Sequence, residues 1–433
     1  MNKEKIIKIA DKIIEYSIYG LILFIPISKA GVGIFCVLAI VAFFVKKSLC
    51  PDFSFIRDNK SIYIFLFLFV VFMAMSLLNS GPYLAKGLRA LGGKWVQYIF
   101  IFIIVADTLK TSKRIRNAVI LMLSVAGLVV LSGYSQKFLG FEVFRGRPLF
   151  GGVAVTGSFE NPNDFAAYLV LPAILALSVS IINFKNKIYG FFVPMFVFLS
   201  GGALLLTLSR GAWMGFLLGG VLLAIIIKKY RHIFLFLILF LVGIASLPVA
   251  SARVMNTFAS VRNSVSNPAG GLVGGLSEAS AESSIIGDPA RIAIWRGAIA
   301  MIKENPFLGK GLGTFMDRFS QYVPSMGGSY YAHNCYLQIW AESGVFSLIA
   351  FLCFVGFIFW RSVRFSFLNR QNNLGLICGG LTAGLFGFLV HSFLDTQLYS
   401  LQLKTLFWVT LGMLQAMSTF LSAEGDKGGL RND

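Results

Sequence analysis

The sequence predicts an all-α polytopic integral membrane protein with about 12 transmembrane helices and one large external loop that itself contains helices. Hydrophobic residues make up 57% of the 433 residues, charged residues make up 13%, and the mean hydropathy is +0.77. About twelve apolar stretches approach the roughly 20 residues that a helix needs to cross a bilayer. Short basic clusters separate these stretches, as in the loops of polytopic proteins. This distribution argues against nucleic-acid binding, although the net charge is +19.

Each apolar stretch is interpreted as one transmembrane helix, with boundaries that are soft by a few residues. The predicted spans are residues 12–30, 31–46, 61–79, 95–109, 115–136, 162–183, 188–208, 211–228, 232–250, 341–360, 374–394 and 400–421. The first span follows MNKEKIIKIADK and ends in ISKAG, which leaves a cleaved signal peptide as an alternative. The many spans that follow favour an uncleaved first helix.

Lysine and arginine counts predict which ends of the helices face the cytoplasm. With the N-terminus inside, 22 of the 38 basic residues fall in cytoplasmic segments and 16 fall outside. Seven of the outer 16 lie in one long loop, residues 251–332, and long loops cross the membrane largely regardless of their charge. Both termini are therefore predicted to be cytoplasmic.

The predicted organisation places transmembrane helices 1–9 at 1–250, the external loop at 251–332, and helices 10–12 with a cytoplasmic tail at 333–433. The loop contains a Ser/Gly/Asn-rich part, VRNSVSNPAGGLVGGLSEASAESS, that is predicted to be loosely packed. DPARIAIWRGAIAMIKEN then predicts a helix, with Asp288 as its cap and Pro289 in its first turn. GKGLG, in the following PFLGKGLGTF, has no preceding strand and no GK[ST], so it predicts a turn rather than a phosphate-binding loop.

Cations dominate the predicted outer face. Arg210, in LTLSRGAW, lies at the outer boundary, where an arginine either reaches lipid phosphates or binds an anionic ligand. Arg291 and Arg296 lie on the predicted loop helix, and the sequence leaves open which of them contacts a substrate. Further outer cations are Lys86, Arg89, Lys94, Arg145 and Arg147. Such a face suits a phosphate or pyrophosphate better than a neutral sugar. The outer acids form no cluster typical of metal ligands, so no metal or cofactor is predicted.

Three histidines are candidates for proton transfer. His333, in YYAHNCYLQIWAESG, lies where a polar stretch meets an apolar one, so it either caps a helix or acts as a general base. His391, in HSFLDTQLYS, ends an outer helix. It is either structural or lines the same outer cavity as His333. His232 follows KKY on the predicted cytoplasmic side.

The order of motifs along the chain resembles the O-antigen ligase and polymerase superfamily of bacterial envelope glycan assembly. The motifs are GSFENPNDFAAYL, then SRGAW, then RIAIWRGAIAMIKENPFLGKGLGTF in the large loop, then AHNCYLQIWAESG at the start of a helix. The resemblance covers most of the chain and is strongest from about 155 to 350. Each motif alone is degenerate, whereas their order, with twelve spans and a large loop between the ninth and tenth, is fairly specific.

The resemblance implies an enzyme of the bacterial inner membrane whose active site faces the periplasm. It would move a glycan from undecaprenyl pyrophosphate to an acceptor hydroxyl, without metal or nucleotide sugar. By this resemblance, His333 would be the general base, and Arg210 and Arg291 would bind the pyrophosphate. Arg296, Arg89, Lys94 and His391 are secondary candidates.

The identity of the acceptor divides the superfamily. A ligase moves the finished glycan to the lipid A core, whereas a polymerase extends the glycan by repeat units. One dominant external loop favours the ligase by analogy, and the polymerase remains the alternative. A transporter of lipid-linked glycans is a second alternative, disfavoured because the two halves show no repeat and the spans carry almost no charge.

Overall fold

The protein is described here by a computed structural model that is mainly helical in its described residues. The described residues are 3–182, 187–228, 230–246, 288–326 and 330–425, together with Pro248 and Met255. Within them the secondary structure is helical, apart from an isolated bridge between Phe150 and Ala154. The segment predicted to be loosely packed, 261–284, lies outside the described residues.

The first half of the chain forms helices connected by short loops and one longer loop, 139–161. Its helices are α1 Lys3–Phe24, α2 Lys29–Leu49, α3 Ser54–Arg57, α4 Lys60–Ser76, α5 Leu84–Ala90, α6 Gln97–Thr108, α7 Ser112–Phe138 and α8 Pro162–Val179. A π-helical segment, Leu91–Val96, joins α5 to α6 without a break.

The second half begins with helices that pack on α8 and ends with long helices that fill the core. Its helices are α9 Lys187–Leu206, α10 Arg210–Ile227, α11 Tyr230–Ser246, α12 Asp288–Glu304, α13 Phe315–Tyr322, α14 Cys335–Leu368, α15 Asn373–His391 and α16 Leu401–Gly425. The helix predicted in the large loop is confirmed as α12, which begins at Asp288.

The helices coincide with the apolar stretches of the sequence, and each predicted span overlaps one of them. Within the described residues, eight helical segments are long and apolar enough to cross a membrane, and two shorter apolar helices are Gly190–Leu206 and Arg231–Ser246. The all-helical fold is therefore confirmed for the described chain, whereas the count of twelve spans stays a prediction.

Close packing of α10 on α15 sets the position of the functional end of the bundle. Gly215 and Gly387 face each other, and a Cβ atom on either would overlap the carbonyl oxygen of the other. Small residues allow two helix backbones to approach this closely within a membrane protein. Because the contact runs along both helices, Arg210 at the start of α10 and His391 at the end of α15 lie at the same end.

Ion pairs join the ends of several helices at the opposite end of the bundle. Asp11 of α1 pairs with Lys46 of α2 and with Arg114 of α7, both at 2.6 Å. Lys47 pairs with Asp107 at 2.8 Å. These basic residues belong to the clusters that the sequence assigns to the cytoplasm. They lie at the end that does not carry Arg210 and His391.

The glycine-rich loop after α12 docks against a break in α14. Gly344 has φ +81° and ψ 171°, which interrupts α14 two turns after its start. The backbone N–H of Lys310 donates to the carbonyl of Ala341 at 2.8 Å, and that of Gly311 donates to the carbonyl of Glu342 at 3.0 Å. Gly309 also has a positive φ of +71°. The GKGLG segment is thus a turn, as predicted, and its backbone satisfies carbonyls of the broken helix.

Candidate active site

His333 lies immediately before α14 in a left-handed backbone conformation. Its φ is +45°, a value that residues other than glycine adopt rarely. The cap of α14 is the next residue: Asn334 Oδ1 accepts hydrogen bonds from the backbone N–H groups of Tyr336 and Leu337, both at 3.0 Å. The helix start therefore does not need the imidazole as its cap.

The imidazole of His333 is paired with a carboxylate from another part of the chain. Its Nδ1 lies 3.0 Å from Oδ1 of Asp395, and both side chains are largely buried. The same oxygen accepts the backbone N–H of Thr396 at 2.8 Å. The segment after α15 is tied to α14 because the backbone N–H of Cys335 donates to the carbonyl of Ser392 at 2.9 Å. Two backbone links thus hold Asp395 against the histidine.

The charge of Asp395 decides the tautomer of His333. Burial raises the pKa of the Asp395 carboxyl, but the hydrogen bond with His333 and the charges of His333, Arg291 and His391 hold that pKa well below its usual range. A carboxylate accepts hydrogen bonds and donates none. Nδ1 of a neutral His333 therefore carries the proton, and Nε2 has a free lone pair, as in a catalytic histidine oriented by an aspartate.

Arg210 and Arg291 line one small cavity together with Ser209 and His391. The cavity has a volume of about 30 Å³, enough for roughly one water molecule. Nε of Arg291 is buried and has no hydrogen-bond partner among the described residues. The structure thus brings together the two arginines that the sequence singles out, one of them with an unused donor.

His391 is part of the wall of this cavity. It is 2% exposed, and its Nε2 lies 3.4 Å from Oγ of Ser209, while Nδ1 has no partner among the described residues. Gly211 lies against it, since a Cβ atom there would be 2.7 Å from Cδ2 of the ring. The histidine lines the cavity, as the sequence left open, and its packing also fixes the start of α10.

The remaining predicted cations lie apart from this cavity. Arg296 is exposed on α12, and Arg89 is exposed on α5, where its Nε donates to the carbonyl of Ala85 at 3.3 Å. Lys94 is exposed on the π-helical segment. The geometry therefore distinguishes Arg291 from Arg296, since Arg291 alone of the two lines the cavity. No group of three or more His, Cys, Asp or Glu residues in the described ranges could hold a metal ion.

Asp395 belongs to this site, although the sequence alone predicted no role for it. The sequence could have indicated this residue, because HSFLDTQLYS places the acid Asp395 four residues after His391. The sequence likewise predicted no role for Lys404 or Gln397. Nothing in LQLKTL separates a buried lysine from one that reaches the lipid surface.

Part of the chain matches a known family. Residues 195–352 match the family model described as O-Antigen ligase. This part of the chain is therefore similar to O-antigen ligases. No curated protein matches the chain.

The matched residues include Arg210, Arg291 and His333, whereas His391 and Asp395 follow the end of the match. Its family of membrane-bound bacterial ligases and polymerases supports a glycosyltransferase-like enzyme that acts on a lipid-linked glycan and a glycan acceptor. The structure thus completes the site with residues from α15 and the loop after it.

Proposed function

We propose that the protein is an O-antigen ligase that moves a glycan from undecaprenyl pyrophosphate to a sugar hydroxyl of the lipid A core. The observation that carries the proposal is the His333–Asp395 pair, which leaves one ring nitrogen free at the end of the bundle where Arg210 and Arg291 meet. A base at the same end of the bundle as two arginines matches the needs of a reaction that removes a proton and releases a diphosphate.

In the proposed reaction, the acceptor hydroxyl oxygen attacks the anomeric carbon of the donor glycan. A new C–O bond forms as the bond from that carbon to the pyrophosphate oxygen breaks, and the bonding electrons leave with the pyrophosphate. His333 Nε2 takes the hydroxyl proton, and Asp395 stabilises the resulting imidazolium. Arg210 and Arg291 hold the pyrophosphate as forked donors and offset its developing charge. A lipid diphosphate is already an activated leaving group, so the step invokes no cofactor.

The size of the arginine cavity sets a condition on donor binding. A volume of about 30 Å³ accommodates roughly one water and not a diphosphate. The diphosphate is therefore proposed to bind at the mouth of the cavity rather than inside it. The Nε of Arg291 supports this proposal, since it is a donor without a hydrogen-bond partner among the described residues.

The proposed site faces the periplasm of a protein held in the inner membrane with both termini in the cytoplasm. The support is electrostatic, because the paired basic clusters around Lys46, Lys47 and Arg114 lie at the opposite end from His333. Basic residues at helix ends favour the cytoplasmic side.

The test is transfer by the purified protein. We expect wild-type protein, given undecaprenyl-pyrophosphate-linked glycan and lipid A core, to form the glycan–lipid A conjugate, and His333→Ala to lose it. Extension of the donor glycan without transfer to lipid A would identify a polymerase instead. Movement of the lipid-linked glycan across proteoliposomes without any new glycosidic bond would identify a transporter and overturn the assignment.

A further inference from the structure

A buried lysine lies close to the candidate active site and has no role in the mechanism above. Lys404, in the first turn of α16, is 2% exposed. Its Nζ lies 5.4 Å from the ring centroid of Trp95 and 5.3 Å from that of Tyr98. The aromatic rings stabilise the ammonium in part, but none of the described carboxylates forms an ion pair with it. A buried charge without an ionic partner is costly, and a lysine is almost never fully buried unless it is paired.

Gln397 is a second buried group without partners on the same stretch of chain. It is 2% exposed, and both its Nε2 and its Oε1 lack a hydrogen-bond partner among the described residues. A buried amide normally satisfies its donors and its acceptor, so this one is free to bind a polar ligand. Gln397 follows Asp395 by two residues, and the next backbone N–H, of Leu398, donates to Sγ of Cys335 at 3.5 Å. The free amide therefore lies near the proposed base.

A second lysine strengthens the positive charge at this place. Lys94 is exposed on the π-helical segment Leu91–Val96, and π-helical turns occur frequently at functional sites. It directly precedes Trp95, whose ring centroid lies 5.4 Å from Nζ of Lys404. Two cations held together without a bridging acid attract an anion.

The nearby acid does not neutralise this charge directly. Glu342 is within electrostatic reach of Lys404 but forms no ion pair with it. Its carboxylate accepts hydrogen bonds from Tyr399 Oη at 3.2 Å and from Gln338 Nε2 at 3.3 Å. The acid is therefore occupied by neutral donors, and the ammonium of Lys404 remains available to a ligand.

We propose that Lys404, Lys94 and Gln397 form a subsite for an anionic group, a phosphate or a carboxylate, on the acceptor glycan. The inference rests on the proposed function and names the class of acceptor. Arg291 lines a cavity with Arg210, whereas Lys404 lies against Trp95 and Tyr98. Leu398, the residue after Gln397, donates its backbone N–H to Sγ of Cys335, which lies two residues after His333. The donor diphosphate is thus assigned to the arginines and the charged group of the acceptor to the lysines.

The experiment compares one acceptor in two forms, a phosphorylated core oligosaccharide and the same oligosaccharide after phosphatase treatment. Lys404→Met removes the charge and keeps the length of the side chain. We expect it to weaken binding of the phosphorylated form about 10- to 100-fold, the usual contribution of a charged hydrogen bond. Binding of the dephosphorylated form and the KM for the donor are expected to change less than about twofold. Lys137→Met, which removes an exposed lysine at the same end of the bundle, is the matched control and is expected to change neither.

The outcomes separate the possible roles of Lys404. Equal losses of binding with both acceptor forms would show that Lys404 is structural. A raised KM for the donor would assign Lys404 to the diphosphate site. Either result, or unchanged binding of the phosphorylated acceptor, would overturn the proposal. Lys94→Met alters an exposed side chain and should give a smaller loss confined to the phosphorylated acceptor, which keeps the test decisive if Lys404→Met fails to fold. Because binding is measured without donor, the result stands even if no glycan transfer is detected.

Discussion

Nδ1 of His333 lies 3.0 Å from Oδ1 of Asp395, and 62 residues of chain separate the two. The backbone N–H of Thr396 donates to the same carboxylate oxygen. The aspartate is thereby held in one orientation, and its oxygen faces the imidazole. This relationship supports the proposed role of His333 as a base, and mutation can separate the roles of the two partners.

Replacing His333 by glutamine tests the base directly. Glutamine can accept a hydrogen bond but cannot take the proton, so we expect the transfer rate to fall about 10²- to 10⁴-fold at normal protein yield. His232→Gln alters an exposed histidine of α11 and is expected to have wild-type activity. Full specific activity of His333→Gln would remove the histidine from the chemistry.

Replacing Asp395 by asparagine tests the charge of the pair apart from its geometry. The Thr396 N–H requires an oxygen in its present place, so asparagine should keep an oxygen facing His333. The lost negative charge no longer favours the protonated ring, and we expect about a 10- to 100-fold lower rate. Asp395→Ala should be slower still, and equal rates for the two variants would contradict a role for the oriented oxygen.

The sequence predicts the features of this site that depend on local patterns, and it does not predict contacts between residues far apart in the chain. Apolar stretches predict the helices because each stretch must be buried over its whole length, whatever its neighbours are. Motif order singles out Arg210, Arg291 and His333. The partnership with Asp395 depends on how α14 packs against α15 and the loop after it, which no local pattern encodes. The burial of Lys404 likewise depends on Trp95 and on the π-helical segment that carries it.

Replacing Arg291 by lysine tests the proposed pyrophosphate contact. Lysine keeps the charge but loses the planar fork and the unused Nε donor, so kcat/KM for the lipid-linked donor should fall more than about tenfold. Arg210→Lys is expected to behave likewise. Arg296→Lys, on the same helix but exposed, is the matched control and should stay within about twofold of wild type. A larger effect at Arg296 than at Arg291 would reverse the assignment that the cavity indicates.

Adding a single methyl group at the break in α14 tests whether the glycine-rich loop supports the site. At Gly344 the backbone has φ +81°, and a Cβ atom there would overlap the carbonyl oxygen of Phe307. We expect Gly344→Ala to lower the free energy of unfolding by about 2 kcal/mol or more, measured by thermal unfolding in detergent. Gly356→Ala is the control on the same helix, since nothing lies within 4 Å of its added Cβ. It should be neutral or slightly stabilising, and equal effects at the two positions would show that the break can relax.

Cysteine labelling with a membrane-impermeant reagent tests which side of the membrane carries the site. The background replaces Cys50 and Cys353 by serine and keeps Cys36, Cys335 and Cys378, which are buried. Val143, 64% exposed in the loop after α7, lies at the end of the bundle that carries His333, and Gln371, exposed between α14 and α15, lies at the other end. Because the paired basic clusters favour a cytoplasmic location for the second end, we expect Val143→Cys to be labelled from outside intact cells and Gln371→Cys to react only after permeabilisation. Labelling of Gln371→Cys alone in intact cells would place His333 and the arginines in the cytoplasm, where a reaction on the outer side of the membrane could not use them.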